Sequence, residues 1–221
     1  MCHFYGDNIL TQSIVNSALI EVQYLPPLSY FSALRGYQGV VVEKHEHYEK
    51  QTYRNRCYIN SAQGREILIV PVTAKHGKTI TGEVRIDYGQ KWLNNHWRTI
   101  QTAYGKAPFF EYYAEDLHDI LFRKVDLLYD LNLALLTMCL KWLKWNMPIR
   151  ETLAYDQNVG AGVADLRSAI TPKKSGSVGR FYKPAVYHQV FGNKFVENLS
   201  LIDLVFCEGP GAWDTIQAST V

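Results

Sequence analysis

The chain has 221 residues, 47% hydrophobic and 20% charged, which is enough for one sizeable core and short for two ordinary domains. Lys and Arg number 23 against 21 Asp and Glu, a net charge of +2, and this balance excludes a nucleic-acid binder working through a broad basic surface. The four cysteines, Cys2, Cys57, Cys139 and Cys207, are far apart and form no C-x-x-C pair, so neither a zinc knuckle nor a dense disulfide framework is indicated and a reducing cytoplasm fits.

Residues 1–17 have no clear period and are expected to be an N-terminal extension ahead of one domain spanning 18–221. No secretory signal is expected, because Asp7, Asn8 and Gln12 lie where an apolar h-region would be. From Ala18 the run Ala-Leu-Ile-Glu-Val-Gln-Tyr predicts a strand, Leu25-Pro26-Pro27 forces a turn, and Leu28 to Leu34 predicts a short helix ended by Gly36. Gly39 to Glu43 is a β-branched strand, and Cys57-Tyr58-Ile59 with Ile67 to Val72 predicts a hairpin turning at Ser61 to Gly64. A further strand is expected over Ile80 to Asp87.

The period then becomes helical. Trp92, His96, Ile100 and Tyr104 recur every four residues, Pro108 opens a second helix, and Val125 to Trp145 makes a third. Inside the third, Leu131 to Leu140 is the longest apolar stretch; it is too short to span a bilayer and predicts a buried central helix, so no membrane span is expected. A basic Gly/Ser segment at Thr171 to Arg180, an aromatic stretch at Tyr182 to Phe191 and a short apolar helix at Leu199 to Phe206 follow. The pattern predicts an α/β protein, a single compact domain in which a mixed sheet is covered by helices. That sheet is expected to combine the first strand, Val40 to Glu43 and the hairpin around Gly64.

The densest polar cluster is Tyr53-Arg54-Asn55-Arg56 between two apolar stretches. Guanidinium forks match phosphate or carboxylate, so Arg54 and Arg56 on one strand face, with Asn55 on the other, suit an anionic ligand; bridging of loop carbonyls is the plainer alternative. Glu43, His45 and His47 would share a face in an extended segment, with Glu46 and Glu49 opposite. A solvated charged edge explains them better than metal ligation or an acid and base pair, and no metal is expected. His96 is either a core histidine or a general base beside a cleft. Lys173 to Arg180 is small and basic but does not match a phosphate-binding loop, so a mobile surface loop is favoured over a lid. Ser200 suits a helix cap and Asp203 its first turn, with a base and orienting carboxylate, His188 and Asp203, as the other reading. Fifteen tyrosines suit either core packing or stacking on sugars and nucleobases.

Taken in order, several segments resemble the WbqC-like family, proteins encoded among bacterial O-antigen and other surface-polysaccharide genes. They are Gln23-Tyr24-Leu25-Pro26-Pro27 with Tyr30 and Phe31, Tyr53-Arg54-Asn55-Arg56, and Val70-Pro71-Val72. Trp92, His96, Trp97, Tyr104, Pro108 and Phe109 follow, then Tyr187-His188-Gln189-Val190-Phe191 and Asn198-Leu199-Ser200-Leu201-Ile202-Asp203-Leu204. The resemblance covers roughly residues 18 to 209, and the chain departs from it at Lys44 and His45, where many members carry acids.

The resemblance implies a cytoplasmic transferase that adds an amino-acid, glycine-like group to a sugar or nucleotide-sugar during polysaccharide assembly. The substrate site is expected to draw on Gln23, Tyr53, Arg54, Asn55, Arg56, Trp97, Gln189 and Asn198, with His96, His188 and Asp203 as catalytic residues. A sugar or nucleotide-sugar is the expected partner. The alternatives are a noncatalytic binding or scaffold protein of the same pathway and a nucleotidyltransferase-like enzyme using ATP, although the H-x-G-H core of the latter is absent.

Overall fold

The computed structural model describes residues 16–74, 78–173, 178–192 and 194–221. At its centre is a four-stranded sheet in the order β7-β2-β1-β8, with every neighbouring pair parallel. Its strands are β1 (Ser17–Glu21), β2 (Gly39–Glu43), β7 (Ile149–Glu151) and β8 (Val163–Asp165). All five residues of β1 are buried, the pattern of an inner parallel strand covered on both faces. The α/β class follows directly.

Between β1 and β2 the chain passes through α1 (Leu28–Leu34), whose seven residues are all buried. Leu25 enters this crossover at φ 44°, a left-handed conformation that costs a branched side chain energy and is held here by burial. Two backbone bonds fix the Pro-Pro turn: Leu201 donates to the Pro26 carbonyl and Leu28 to that of Leu199. Pro27 offers α1 no side-chain cap, and the Asn198 side chain supplies one by accepting from the Ser29 amide at 3.0 Å.

The hairpin forms where expected, β3 (Arg56–Ser61) and β4 (Gly64–Ile69) pairing antiparallel with Ser61 opposite Gly64. Its place in the architecture differs from the expectation. It makes its own two-stranded ladder, and the central sheet is completed by β7 and β8 instead. The expected strand over Ile80 to Asp87 is a 3-10 turn at Thr81–Glu83 followed by the two residues of β6 (Arg85–Ile86), which pairs with β5 (Val72–Thr73).

The helices are α2 (Trp92–Tyr104), α3 (Phe110–Phe122), α4 (Leu128–Trp142), α5 (Leu201–Glu208) and α6 (Ala212–Ala218). Trp92, His96, Ile100 and Tyr104 all face inward, as their spacing predicts. α4 is buried along most of its length, and Asn132 at its core donates to the Arg54 carbonyl at 2.7 Å. Among the described residues no helix is long and apolar enough to cross a membrane.

Candidate active-site cleft

β1 and β2 each end on a glutamate, and the register places Glu21 beside Glu43. Two adjacent carboxylates inside a protein need cations, and two loops deliver them. Arg54, on the turn before β3, lies 3.7 Å from Glu21 Oε2; Arg167, just after β8, lies 3.1 Å from Glu43 Oε2. Backbone and hydroxyl donors complete the set. Glu21 also accepts from the Ser168 amide and from Gln23 Nε2, both at 2.8 Å, while Glu43 accepts from the His45 amide and the Thr152 hydroxyl at 2.8 and 2.9 Å.

Arg54 is 1% exposed. Its Nε and Nη2 reach Glu46 Oε1 at 2.7 and 2.6 Å, and it donates to the Thr52 and Ser168 hydroxyls as well. Burial would lower its pKa, but Glu21 and Glu46 more than reverse that and hold it above the ordinary value. The two-residue alternation expected for Arg54 and Arg56 does not apply, because Arg54 precedes the strand and its backbone is in a turn. Arg167 forks onto Asp165 at 3.0 and 2.7 Å and lies over the Tyr155 ring at 4.9 Å.

Above these pairs opens a cleft of about 660 Å³ lined by His45, Glu46, His47, Glu49, Ile80, Tyr155, Gln157, Asp165, Arg167 and Ser168. Its position, just outside the carboxyl ends of parallel strands, is where open α/β sheets bind ligands. After Glu43 the chain leaves the strand, so His45, Glu46 and His47 all border the cleft instead of alternating between two faces. Burial pushes the Glu46 carboxyl up to about 7 against the opposing pull of Arg54. His45 Nε2 lies 3.0 Å from the Thr152 carbonyl. A carbonyl only accepts, so Nε2 is the donor in this contact. Among the described residues no group of three His, Cys, Asp or Glu is placed to hold a metal ion.

The expected catalytic residues lie elsewhere. His96, on α2, is 6% exposed; its Nδ1 meets the Tyr24 hydroxyl at 3.0 Å, and burial pulls its pKa down to about 4. Asp203, on α5, is fully buried and accepts from the hydroxyls of Tyr104 and Tyr187 and from Gln189 Nε2; burial raises its pKa while those three donors oppose the rise. His188 is exposed, and its backbone amide donates to Glu208. Ser200 stands at the N-cap of α5 without a side-chain cap bond. His188 and Asp203 are thus not brought into hydrogen-bond contact with each other.

Of the expected substrate residues, Gln23 bonds Glu21 beneath the cleft and Arg54 braces it. Asn55 donates to the Val70 carbonyl, Trp97 stacks on Phe110, and Gln189 also ties the Val196 backbone. Tyr53 and Asn198 meet at a separate pocket of about 340 Å³ with Arg65 and Tyr182. Lys173 donates to the Lys50 carbonyl, and Lys174 to Ser177 of the basic segment lie outside the described residues. Sequence reading missed Glu21, Arg167, Asp165, Ser168 and Tyr155 as site residues. One signal could have found the acid: a charged residue closing an apolar, fully buried strand, as in Ala18-Leu19-Ile20-Glu21.

The WbqC-like protein family matches this chain over residues 22–173. A curated relative, an uncharacterized protein of Mycobacterium tuberculosis, is 31% identical over 106 residues, which is 47% of this chain and 45% of that protein. The chain therefore spans about half the length of the curated relative it matches. No solved structure matches it.

Proposed function

The chain belongs to the WbqC-like protein family, and we propose that it is a transferase of surface-polysaccharide assembly whose substrates meet in the cleft at the carboxyl end of the parallel sheet. The observation that carries this reading is the convergence of Glu46, His45 and Arg167 on one cleft of about 660 Å³ at the ends of β1, β2 and β8. A sugar ring suits that cleft. Tyr155 offers an aromatic wall, and Glu49, Gln157 and Asp165 offer hydrogen-bond partners for hydroxyl groups.

The reaction we assign is transfer of an aminoacyl group onto a sugar hydroxyl or amine. The acceptor heteroatom forms a bond to the carbonyl carbon of an activated aminoacyl donor, and the bond to the donor's leaving group breaks, with the leaving group keeping the electron pair. The acceptor gives up its proton, so the site needs a base near neutral pH. We therefore assign the chemistry to the cleft, where Glu46 and His45 stand together. Arg56 remains the candidate for a nucleotide phosphate, since its buried Nε has no hydrogen-bond partner among the described residues.

A second reading gains from one observation. β1 lies inside an all-parallel sheet and runs into the Pro26-Pro27 turn, an arrangement compatible with a nucleotidyltransferase-like enzyme using ATP. Thermal shift of the purified chain separates the two readings, because ligands stabilise the state they bind. Nucleotide-sugars are expected to raise the melting temperature of the native protein and of His188→Ala but not of His45→Ala. A shift with ATP alone supports the second reading. No shift with any nucleotide-sugar, amino-sugar or ATP overturns both.

A further inference from the structure

We propose that Glu46 is the catalytic base of the cleft and that Arg54 is its positioning residue, an assignment that rests on the transferase reading above. The argument begins with how Glu46 is held. Both guanidinium contacts fall on one oxygen, Oε1, and fix it at 2.7 and 2.6 Å. Among the described residues Oε2 has no hydrogen bond, and the side chain, 10% exposed, borders the cleft. The carboxyl is therefore clamped on one side and open on the other.

Arg54 is held on further sides as well, Nη1 by Thr52 and Nη2 by Ser168 and Glu21. It orients Glu46 as a second carboxylate orients a catalytic imidazole, with the charges reversed. Around Glu46 stand Glu21 at the end of β1, Glu43 at the end of β2, Arg54 before β3, and His45, His47 and Glu49 from its own segment. Asp165 and Arg167 border the same cleft. Burial raises the proton affinity most, Arg54 restrains it and Glu21 and Glu43 add to the rise, which leaves a carboxyl able to accept and release a proton near neutrality. In the assigned step the acceptor proton passes to Oε2 as the new bond to the acyl carbon forms. It then leaves to the departing group or to water.

Two readouts test this. In the first, a water-soluble carbodiimide and a labelled amine are applied to the native full chain from acid to mildly basic pH, and each carboxyl is followed by peptide mass spectrometry. Carbodiimide attacks the protonated acid. Glu46 is expected to keep reacting up to about pH 7, above the ordinary carboxylate range. Absence of label on Glu46, or loss of its reactivity within the ordinary carboxylate range, overturns the proposal.

The second readout is surface-glycan composition in a host deleted for the gene and complemented with wild type, E46Q or E46D. General-base loss is expected to lower the modified glycan about 100-fold in E46Q at unchanged protein level. Partial recovery is expected in E46D, which keeps the carboxylate. Full restoration by E46Q overturns the assignment of Glu46 alone. A deletion that leaves the glycan unchanged overturns the transferase reading, and with it the reaction assigned to Glu46.

Discussion

Two buried carboxylate clusters solve the same problem differently. At the carboxyl end of the sheet, Glu21, Glu43 and Glu46 are balanced by the guanidinium groups of Arg54 and Arg167. Behind the helices, Asp203 is just as buried, yet among the described residues no cation pairs with it and its donors are two tyrosine hydroxyls and an amide. Neutral donors close a site completely, since each oxygen is capped and no charge reaches solvent. Charge pairing leaves an unbonded Glu46 oxygen beside open space. The first cluster suits chemistry, and the second fastens α2 and the Tyr187–Gln189 segment onto α5.

The contrast breaks most visibly if Arg54 is removed. Arg54→Ala leaves two buried carboxylates without their cation and is expected to cost about 3–5 kcal/mol in urea unfolding. Asp203→Leu removes the shared acceptor of Tyr104 and Tyr187; orphaning those hydroxyls is expected to cost about 1–3 kcal/mol by the same measurement. If the second loss equals the first, neutral and charged balancing are energetically alike here and the comparison fails.

Stability against pH sharpens it further. The folded Glu46 pKa of about 7 is raised, so between the ordinary carboxylate range and pH 7 the native state holds more protons than the unfolded state. Its contribution therefore falls as pH rises through that window. His96 runs the opposite way. Its folded pKa of about 4 lies below the ordinary 6.5, so its contribution rises over that interval and is lost as pH falls. Compared with wild type, Glu46→Gln should gain a more upward slope of stability with pH and His96→Asn a more downward one, measured by chemical unfolding across the window. Parallel curves for all three proteins would refute both shifts. The smallest effect belongs to the exposed pair Lys44 and Glu151, where Lys44→Ala should change stability by less than about 1 kcal/mol.

Elements with a strong period were legible in the sequence. Leu28–Leu34, the four-residue spacing of α2 and the Ser61–Gly64 turn all stand where composition and periodicity put them. The family and the α/β class were legible too. β7 and β8 were not, because Ile-Arg-Glu and Val-Ala-Asp are three residues each and show no alternation; only backbone pairing with β2 and β1 makes them strands. That gap hid the site. Arg167, Asp165 and Ser168 become site residues only once β8 lies beside β1, and distance along the chain gives no hint of it. The Tyr53–Arg56 cluster stands out in the sequence, while the inward turn of the Arg54 guanidinium depends on two glutamates from two different segments, Glu21 at the end of β1 and Glu46 after β2.

The strand order has a consequence for how this protein comes into being. β1 is flanked on one side by β2, reached after a single short helix, and on the other by β8, with Ser17 beside Val163. During synthesis the early pair therefore waits for most of the chain to emerge, its β2 edge open until β7 is made and its β1 edge until β8. Until then Glu21 and Glu43 stand in water, and Arg167 has yet to be made. A nascent chain halted before β8 would display an unpaired edge of buried-type residues, the surface that chaperones hold and that aggregates when they do not.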